Sequence, residues 1–132
     1  ASGGELSRIM LALKTVLAQN DETETLIFDE IDSGISGRTA QMVAGKIKLT
    51  AGIHQVICIT HLPQIAAMAD THFLIEKTSS DASTISSIRM LDREESIAEL
   101  ARMLGGVKIT DTVLENAREM KDMADAVRTY SV

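Results

Sequence analysis

The sequence has little of several residue types that mark particular classes of protein. It contains one cysteine, Cys58, so no disulfide can form within the chain. Cys58 lies in the apolar run "VICIT", which favours a small core residue over a reactive nucleophile. Aromatic residues are 2% of the chain and tryptophan is absent, so a surface of rings on which nucleic-acid bases stack is not expected.

Positive charge is also scarce. Lys and Arg number 13 against 19 Asp and Glu, which gives a net charge of -6. A surface that binds nucleic acid unaided normally carries clustered Lys and Arg, and the sequence shows no such cluster. No apolar run approaches the roughly 20 residues that cross a bilayer, and the first residues lack the pattern of a signal peptide. We therefore expect a cytoplasmic protein with no membrane partner, folded as a single domain over residues 1–132.

Apolar runs alternate with helical patterns along the first half of the chain. The runs Thr25–Phe28 and His54–Thr60 predict fully buried strands, and apolar spacing over Arg38–Leu49 predicts a helix between them. With the short helix and the strand that follow them, they form the order strand, helix, strand, helix, strand, which predicts right-handed crossovers and a largely parallel sheet that includes the third strand. The expected fold class is therefore α/β, with a mostly parallel sheet flanked by helices.

The second half of the chain predicts further strands and helices. A short helix should begin near Pro63, because proline suits a first helical turn. The segments "HFLIEK" and "STISSIRML" predict two strands joined by a polar turn. Asp92 and Glu95 have the spacing of a helix cap, and a last amphipathic helix should begin at about Asp111.

The start of the first predicted helix allows two interpretations. Ser2 and Glu5 have the three-residue spacing of a capping box, which would close the first turn of a helix with an apolar face. Gly3 and Gly4 would also let a phosphate approach bare N–H groups at the positive end of that helix. The residues alone leave both interpretations open.

Three carboxylates follow the first strand, at Asp29, Glu30 and Asp32. Burying a carboxylate costs several kcal/mol unless a partner pairs with it, so these groups need partners or solvent. An Asp at a strand end can hold Mg²⁺ through water, and the next Glu can polarise an attacking water. The alternative is a solvated acidic turn after an edge strand.

Thr60 and His61 follow the second strand. Ligands of parallel sheets bind at the carboxyl ends of the strands, so His61 is expected near Asp29 and Glu30. An isolated histidine at this position would otherwise be an ordinary loop residue.

The order of these features resembles the carboxyl-terminal half of a P-loop ABC-type ATPase head, in the structural-maintenance-of-chromosomes (SMC) branch. The segments "FDEIDSGISGRTA", "ITHLPQIAAMADTHFLIEK" and "IAELARMLGG" are similar to a bacterial family of DNA double-strand break repair, and the similarity runs from Ala1 to the last helix. The resemblance implies an ATP-hydrolysing head that acts in DNA repair and recombination and is associated with the nucleoid.

The resemblance also implies roles for individual residues. Ser2, Gly3, Gly4 and Glu5 match the signature motif, which contacts the γ-phosphate of ATP held by a partner head. Asp29 matches the Walker B aspartate, which coordinates Mg²⁺ through water. Glu30 matches the catalytic base, and His61 matches the switch histidine that senses the γ-phosphate.

The region 31–37 falls where the D-loop of such heads runs, and Asp32 would cross the interface between two heads. The segment "SGISG" departs from the more common Ser-Ala-Leu-Asp pattern, so the contacts of this loop do not follow from the resemblance.

The sequence has no G-x-x-x-x-G-K-[ST] motif and no long heptad stretch, and it begins inside the signature motif. We therefore expect a fragment that hydrolyses no ATP alone. Its partners would be an amino-terminal P-loop lobe of the same protein and a second head, with ATP and Mg²⁺ between two heads. DNA would be bound through the full-length protein.

Two other functions are compatible with parts of the pattern. The segment "DEID" fits the Asp-Glu-x-Asp motif of helicases, although a helicase should carry a Ser-Ala-Thr-like motif where this chain has "ITHLPQ". An ABC-like lobe kept only for head-to-head interaction, without catalysis, is the second alternative.

Overall fold

A computed structural model describes residues 2–127, so residue 1 and residues 128–132 lie outside the described part of the chain. The first residue of the family resemblance, Ala1, is therefore not described. The elements in chain order are α1 (Gly3–Leu17) with a short 3₁₀ turn (Ala18–Asn20), β1 (Thr25–Phe28), α2 (Gly37–Thr50), β2 (Gln55–Cys58), α3 (Pro63–Ala66), β3 (His72–Ser80), β4 (Ser83–Leu91), α4 (Arg93–Gly105) and α5 (Asp111–Ala126).

The two inner strands form the predicted strand–helix–strand unit. β1 and β2 pair in parallel, with Thr25 opposite Gln55 and Phe28 opposite Cys58, and α2 connects them. The carboxyl ends of both strands therefore lie at one edge of the sheet, which is where parallel sheets place their sites. The α/β class with a parallel sheet is confirmed.

The third strand lies outside this parallel sheet. β3 pairs antiparallel with β4 in a separate two-stranded sheet, closed by a two-residue turn between Ser80 and Ser83. The hairpin forms between neighbours in sequence, so its pairing needs no long loop closure. Within the described residues, parallel pairing is limited to β1 and β2, and the expectation of a third strand in that sheet is wrong.

The core lies on one side of the parallel sheet. Leu26 and Phe28 of β1 point into it, and Ile31, Ile97 and Leu100 are also buried there. Ile27, between Leu26 and Phe28, is 68% exposed. The expectation that this strand is buried on both faces is therefore wrong for the described residues, which cover only one of its faces.

The apolar face of α1 is also uncovered. Its stripe comprises Leu6, Ile9, Leu13 and Val16, of which Val16 is 82% exposed, while Leu11 on another face is buried. The usual arrangement of an amphipathic helix, with the apolar stripe on the core, is thus reversed in this lobe.

Two buried lysines secure the short helix α3. Lys121 from α5 donates to the carbonyls of Ala67 (3.1 Å) and Ala69 (2.8 Å), and Lys48 from α2 donates to the Met68 carbonyl (3.3 Å) and to Asp70. These carbonyls follow the last residue of α3, Ala66, and the two ammonium groups supply their hydrogen bonds. They hold in place the segment that follows His61.

Candidate functional site

The amino-terminal end of α1 forms the predicted capping box. The Oγ of Ser2 accepts from the Glu5 amide at 3.3 Å, and the Glu5 carboxylate accepts from the Ser2 amide at 3.1 Å. The capping interpretation is confirmed. The hydroxyl hydrogen of Ser2 is not used in this cap, because Oγ acts there only as an acceptor.

The two glycines let α1 approach the acidic loop after β1. A Cβ atom on Gly4 would lie 2.8 Å from the Glu30 carbonyl oxygen and 2.8 Å from Cβ of Ser33. A Cβ atom on Gly3 would lie 2.6 Å from Oε2 of Glu30. The structure thus brings the start of α1 against Glu30, and at Gly4, where the neighbour is the backbone of Glu30, a side chain does not fit at this distance.

Glu30 has an unusual backbone conformation. Its φ is 57°, the left-handed region that glycine favours, and no other non-glycine residue among 2–127 has a positive φ. Such a conformation costs on the order of 1 kcal/mol and persists where the surroundings impose it. The carbonyl of Glu30 accepts from the Ser33 amide at 3.0 Å, which closes the turn, while the Glu30 side chain remains exposed.

Two polar side chains of α1 hold the acidic loop from the helix side. Ser7 donates to the Asp29 carbonyl at 2.9 Å. Nη1 of Arg8 donates to the carbonyls of Ile31 (3.1 Å) and Ser33 (2.8 Å). The sequence reasoning missed both residues. Their only signal is that they are the polar pair between Leu6 and Ile9 in an otherwise apolar stretch.

Asp32 connects the loop after β1 to the loop after β2. Its side chain is 3% exposed, and Oδ2 accepts from Thr60 Oγ1 at 2.5 Å and from the His61 amide at 2.8 Å. Nδ1 of His61 lies 3.0 Å from the same oxygen, and the His61 side chain is 74% exposed. Asp32 therefore points into the protein in this structure, where the resemblance implied a contact across the interface between heads.

The charge of Asp32 is stabilised although it is buried. Burial raises the pKa of the Asp32 carboxyl, but hydrogen bonds from Thr60 and the His61 amide, with the nearby His61 ring, outweigh it. The net result is that the pKa of the Asp32 carboxyl is lowered from its ordinary value of 3.8. Asp32 is ionised at neutral pH, and the partner required for its burial lies in the chain itself.

Asp29 and Glu30 place exposed carboxylates at the carboxyl end of β1. Carboxylate oxygens are suitable ligands for Mg²⁺, which keeps several waters and takes one or two carboxylates. Within residues 2–127, no group of three or more His, Cys, Asp and Glu side chains could enclose a metal ion. The exposed carboxylate of Asp29 is of the donor type that a hydrated Mg²⁺ accepts.

The remaining candidates for chemistry have structural surroundings. Burial raises the pKa of the Cys58 thiol to about 12, with a smaller contribution from Asp32 and Asp29, so the thiol is protonated and unreactive at neutral pH. Nδ1 of His54 is 2.5 Å from the Thr23 carbonyl oxygen, and Nδ1 of His72 is 2.7 Å from Ser96 Oγ. Cys58 ends β2 near Asp29, but its protonated thiol has no chemical role there, and His54 precedes β2 at the opposite end of the sheet.

Comparisons with known proteins give the family. No protein-family model matches the chain. The DNA repair protein RecN of Bacillus subtilis is 48% identical over 129 residues, which are 98% of this chain and 22% of that protein. RecN of Treponema pallidum is 52% identical over 120 residues, 91% of this chain and 21% of that protein. The chain is a RecN-like segment.

The RecN-like chain spans about a fifth of the length of the curated relatives that it matches. RecN of Vibrio cholerae gives the same result, with 46% identity over 120 residues that are 22% of that protein. The family resemblance drawn from the motifs is confirmed by these relatives.

One solved structure has a similar fold. It comes from work on ATP-driven dimerization and DNA-stimulated activation of SMC ATPases, and it matches with a TM-score of 0.57 and 25% identity. The match covers 82% of the RecN-like chain and 65% of the solved one. The fold is thus that of the carboxyl-terminal part of an SMC-like head.

None of the helices described over residues 2–127 is long and apolar enough to cross a membrane.

Proposed function

We propose that this chain is the carboxyl-terminal lobe of an ATP-hydrolysing, SMC-like head that acts in DNA double-strand break repair and recombination. The observation that carries the proposal is the packing of the Ser2-Gly3-Gly4-Glu5 helix start against Glu30, in the acidic loop that follows a parallel strand. Relatives named DNA repair protein RecN and the likeness to an SMC ATPase structure support it.

The acidic pair would serve phosphoryl transfer. Asp29 would hold hydrated Mg²⁺, which neutralises charge on the ATP phosphates. Glu30 would accept the proton of the attacking water and orient that water towards the γ-phosphate. The strained backbone of Glu30 supports this role, because unusual backbone conformations are often found at functional sites. His61, exposed at the end of the neighbouring strand, would contact the γ-phosphate.

The start of α1 would bind the γ-phosphate of ATP held by a second head. The first amides of a helix have no partner within it and carry partial positive charge, so they favour an anion. The free hydroxyl hydrogen of Ser2 would donate to the same phosphate, with Glu5 keeping the first turn in place. The cap and the anion site are therefore compatible, and a dimer of heads would enclose two ATP molecules.

The uncovered apolar surfaces support a partner lobe in the same polypeptide. The outer face of the parallel sheet exposes Ile27, Ile57 and Ile59, and the stripe of α1 is exposed as well. Monomeric soluble proteins rarely leave such extended apolar surface in water. An amino-terminal lobe that carries the P-loop would cover it and complete the ATP site. This lobe alone is expected to hydrolyse no ATP, and DNA would be bound by the complete protein.

The test is ATP-dependent dimerisation of the complete protein, measured by gel filtration. Glu30→Gln should bind ATP and accumulate as a dimer, because hydrolysis no longer separates the heads. Ser2→Arg should remain monomeric with ATP, because its bulky side chain fills the anion site. Ser87→Arg, at an exposed position of β4, is the matched control and should behave as the wild type. Equal dimer formation by Glu30→Gln and Ser2→Arg would contradict the assigned roles.

The same experiment distinguishes a lobe that only mediates head-to-head contact. Such a lobe would dimerise in the wild type and in Glu30→Gln to the same extent, with no ATP turnover in either. A higher dimer fraction in Glu30→Gln than in the turning-over wild type is the result that supports catalysis.

A further inference from the structure

The contact between Asp32 and His61 connects the two loops that end the parallel strands. Oδ2 of Asp32 accepts hydrogen bonds from the Thr60 hydroxyl and the His61 amide, and Nδ1 of the His61 ring lies 3.0 Å from the same oxygen. The Thr60 hydroxyl also accepts from the Leu62 amide at 3.1 Å, so it is both a donor and an acceptor in this loop. One buried carboxylate thus holds the backbone of His61 and lies beside its ring.

The chemistry of these groups determines where the proton of the His61 ring lies. An ionised carboxylate is only an acceptor, so a ring nitrogen 3.0 Å from it is more stable with a hydrogen than with a lone pair facing the oxygen. Neutral imidazole has one N–H, and fixing it at Nδ1 leaves Nε2 as the nitrogen without a hydrogen. Nε2 is on the opposite side of an exposed ring, where a ligand can reach it.

We propose that Asp32 is a positioning residue that holds the proton of His61 on Nδ1 and aims Nε2 into the ATP site. This inference rests on the proposed function for its catalytic consequence, but the position of the proton is a property of the chain alone. It gives Asp32 a role within its own chain, where the resemblance implied a contact across the head interface, because the side chain is 3% exposed and its Oδ2 accepts from Thr60 and the His61 amide.

A purely structural brace and a positioning residue give different spectroscopic results. Free imidazole side chains prefer the hydrogen on Nε2, so the Nδ1–H form at His61 would be imposed by the carboxylate. Asp32→Ala removes the acceptor, and Asp32→Asn keeps the size of the side chain but replaces one oxygen with an NH₂ donor. Both changes leave the chemical structure of the His61 side chain unaltered.

The experiment is nitrogen–proton correlation NMR of the complete protein labelled at histidine, at about pH 9, where histidine side chains are generally neutral. The His61 signal is assigned by its absence in His61→Ala. The wild type should show Nδ1–H at His61, and Asp32→Ala should show mainly Nε2–H. Asp81→Ala, at the exposed turn of the hairpin, is the matched control and should keep Nδ1–H. The same tautomer in wild type and Asp32→Ala would overturn the proposal.

Asp32→Asn provides a second result if Asp32→Ala fails to fold. The Asn amide can offer its oxygen or its nitrogen to Nδ1, so the Nδ1–H form should lose its dominance in a folded protein. Wild-type tautomer populations in folded Asp32→Asn would overturn the proposal as well.

The rate of ATP turnover tests whether Asp32 acts on the proposed ATP site through the His61 ring. In the complete protein, Asp32→Asn should lower kcat about tenfold with little change in KM, since losing the partner that orients a functional histidine costs tenfold or more. In a His61→Ala background the same change should have almost no further effect. Independent, additive losses would overturn a role through His61. A wild type without turnover would count against the proposed function, while the tautomer measurement would still test this inference.

Discussion

Glu30 and Gly4 show, at the scale of single residues, how the acidic loop and α1 depend on each other. Glu30 takes a φ of 57° so that the chain can turn directly after β1. Its carbonyl oxygen then lies where a Cβ atom of Gly4 would be, at 2.8 Å. The obstruction is backbone, which cannot move aside as a flexible side chain can. The close packing of the two segments therefore requires glycine at position 4.

Gly4→Ala should separate α1 from the acidic loop. The added methyl group would clash with the Glu30 carbonyl and Ser33, so the free energy of unfolding should fall by about 1–3 kcal/mol. Gly45→Ala in α2 is the control, because nothing lies within 4 Å of its Cβ position, and it should raise stability by about 0.5–1 kcal/mol. Urea denaturation measures both. A Gly4→Ala variant as stable as the wild type would show that α1 does not pack as described.

Asp32 should make the stability of the fold depend on pH. Its pKa is lowered in the folded protein, despite burial, by the hydrogen bonds from Thr60 and His61. The stability that it contributes is present above its ordinary pKa of 3.8 and is lost as the pH falls through the lower folded value. The difference in unfolding free energy between wild type and Asp32→Asn should therefore be larger at pH 7 than at pH 3. An equal difference at both values would show that the carboxylate has no such partners.

At the scale of elements, the polar signals in the sequence gave more accurate predictions than the apolar ones. The capping pairs Ser2–Glu5 and Asp92–Glu95 both form, because a cap involves residues three apart and depends on nothing distant. The last helix begins at Asp111 as expected. Apolar periodicity located α1 and β1 correctly. It does not indicate which other segment packs on the apolar face of either element.

The contacts that assemble the candidate site could not be predicted in this way. Asp32 and His61 are 29 residues apart, and Arg8 and Ser33 are 25 apart. Neither pair has a spacing rule, since each depends on how α1 and the two strands pack. The motif order could indicate which residues come together at the site, but it did not indicate that Asp32 turns inward to hold His61.

The stripe of α1 should behave as a contact surface. Leu13 lies at the centre of the stripe and is 51% exposed. Leu13→Glu should therefore cost the isolated chain little stability, and it should reduce the self-association of that chain. In the complete protein the same change should destabilise the head, because it would place a charge in the contact with the amino-terminal lobe. Val107→Glu, at an exposed position outside the helices, is the control for both forms. Sedimentation measures the self-association and thermal unfolding measures the stability. An unchanged unfolding temperature of the complete protein with Leu13→Glu would contradict the proposed contact.

At the scale of the whole molecule, the lobe combines a well-packed interior with two surfaces that lack partners. The core around Ile97 and Leu100 joins α4 and α5 to the parallel sheet, and buried Lys48 and Lys121 secure the segment after His61. The outer sheet face and the stripe of α1 remain uncovered on the described part of the chain. A lobe built in this way is suited to a larger assembly, which agrees with its span of 22% of the RecN protein of Bacillus subtilis.

ATP turnover by the complete protein and its Glu30→Gln variant is the measurement that tests the central claim most directly. If Glu30 is the proposed general base, its replacement should lower kcat about 100-fold or more, with ATP affinity nearly unchanged. Glu119→Gln, at an exposed position of α5, is the matched control and should keep the wild-type rate. Turnover in Glu30→Gln equal to that of the wild type would contradict the claim that the acidic pair at the end of β1 carries out ATP hydrolysis.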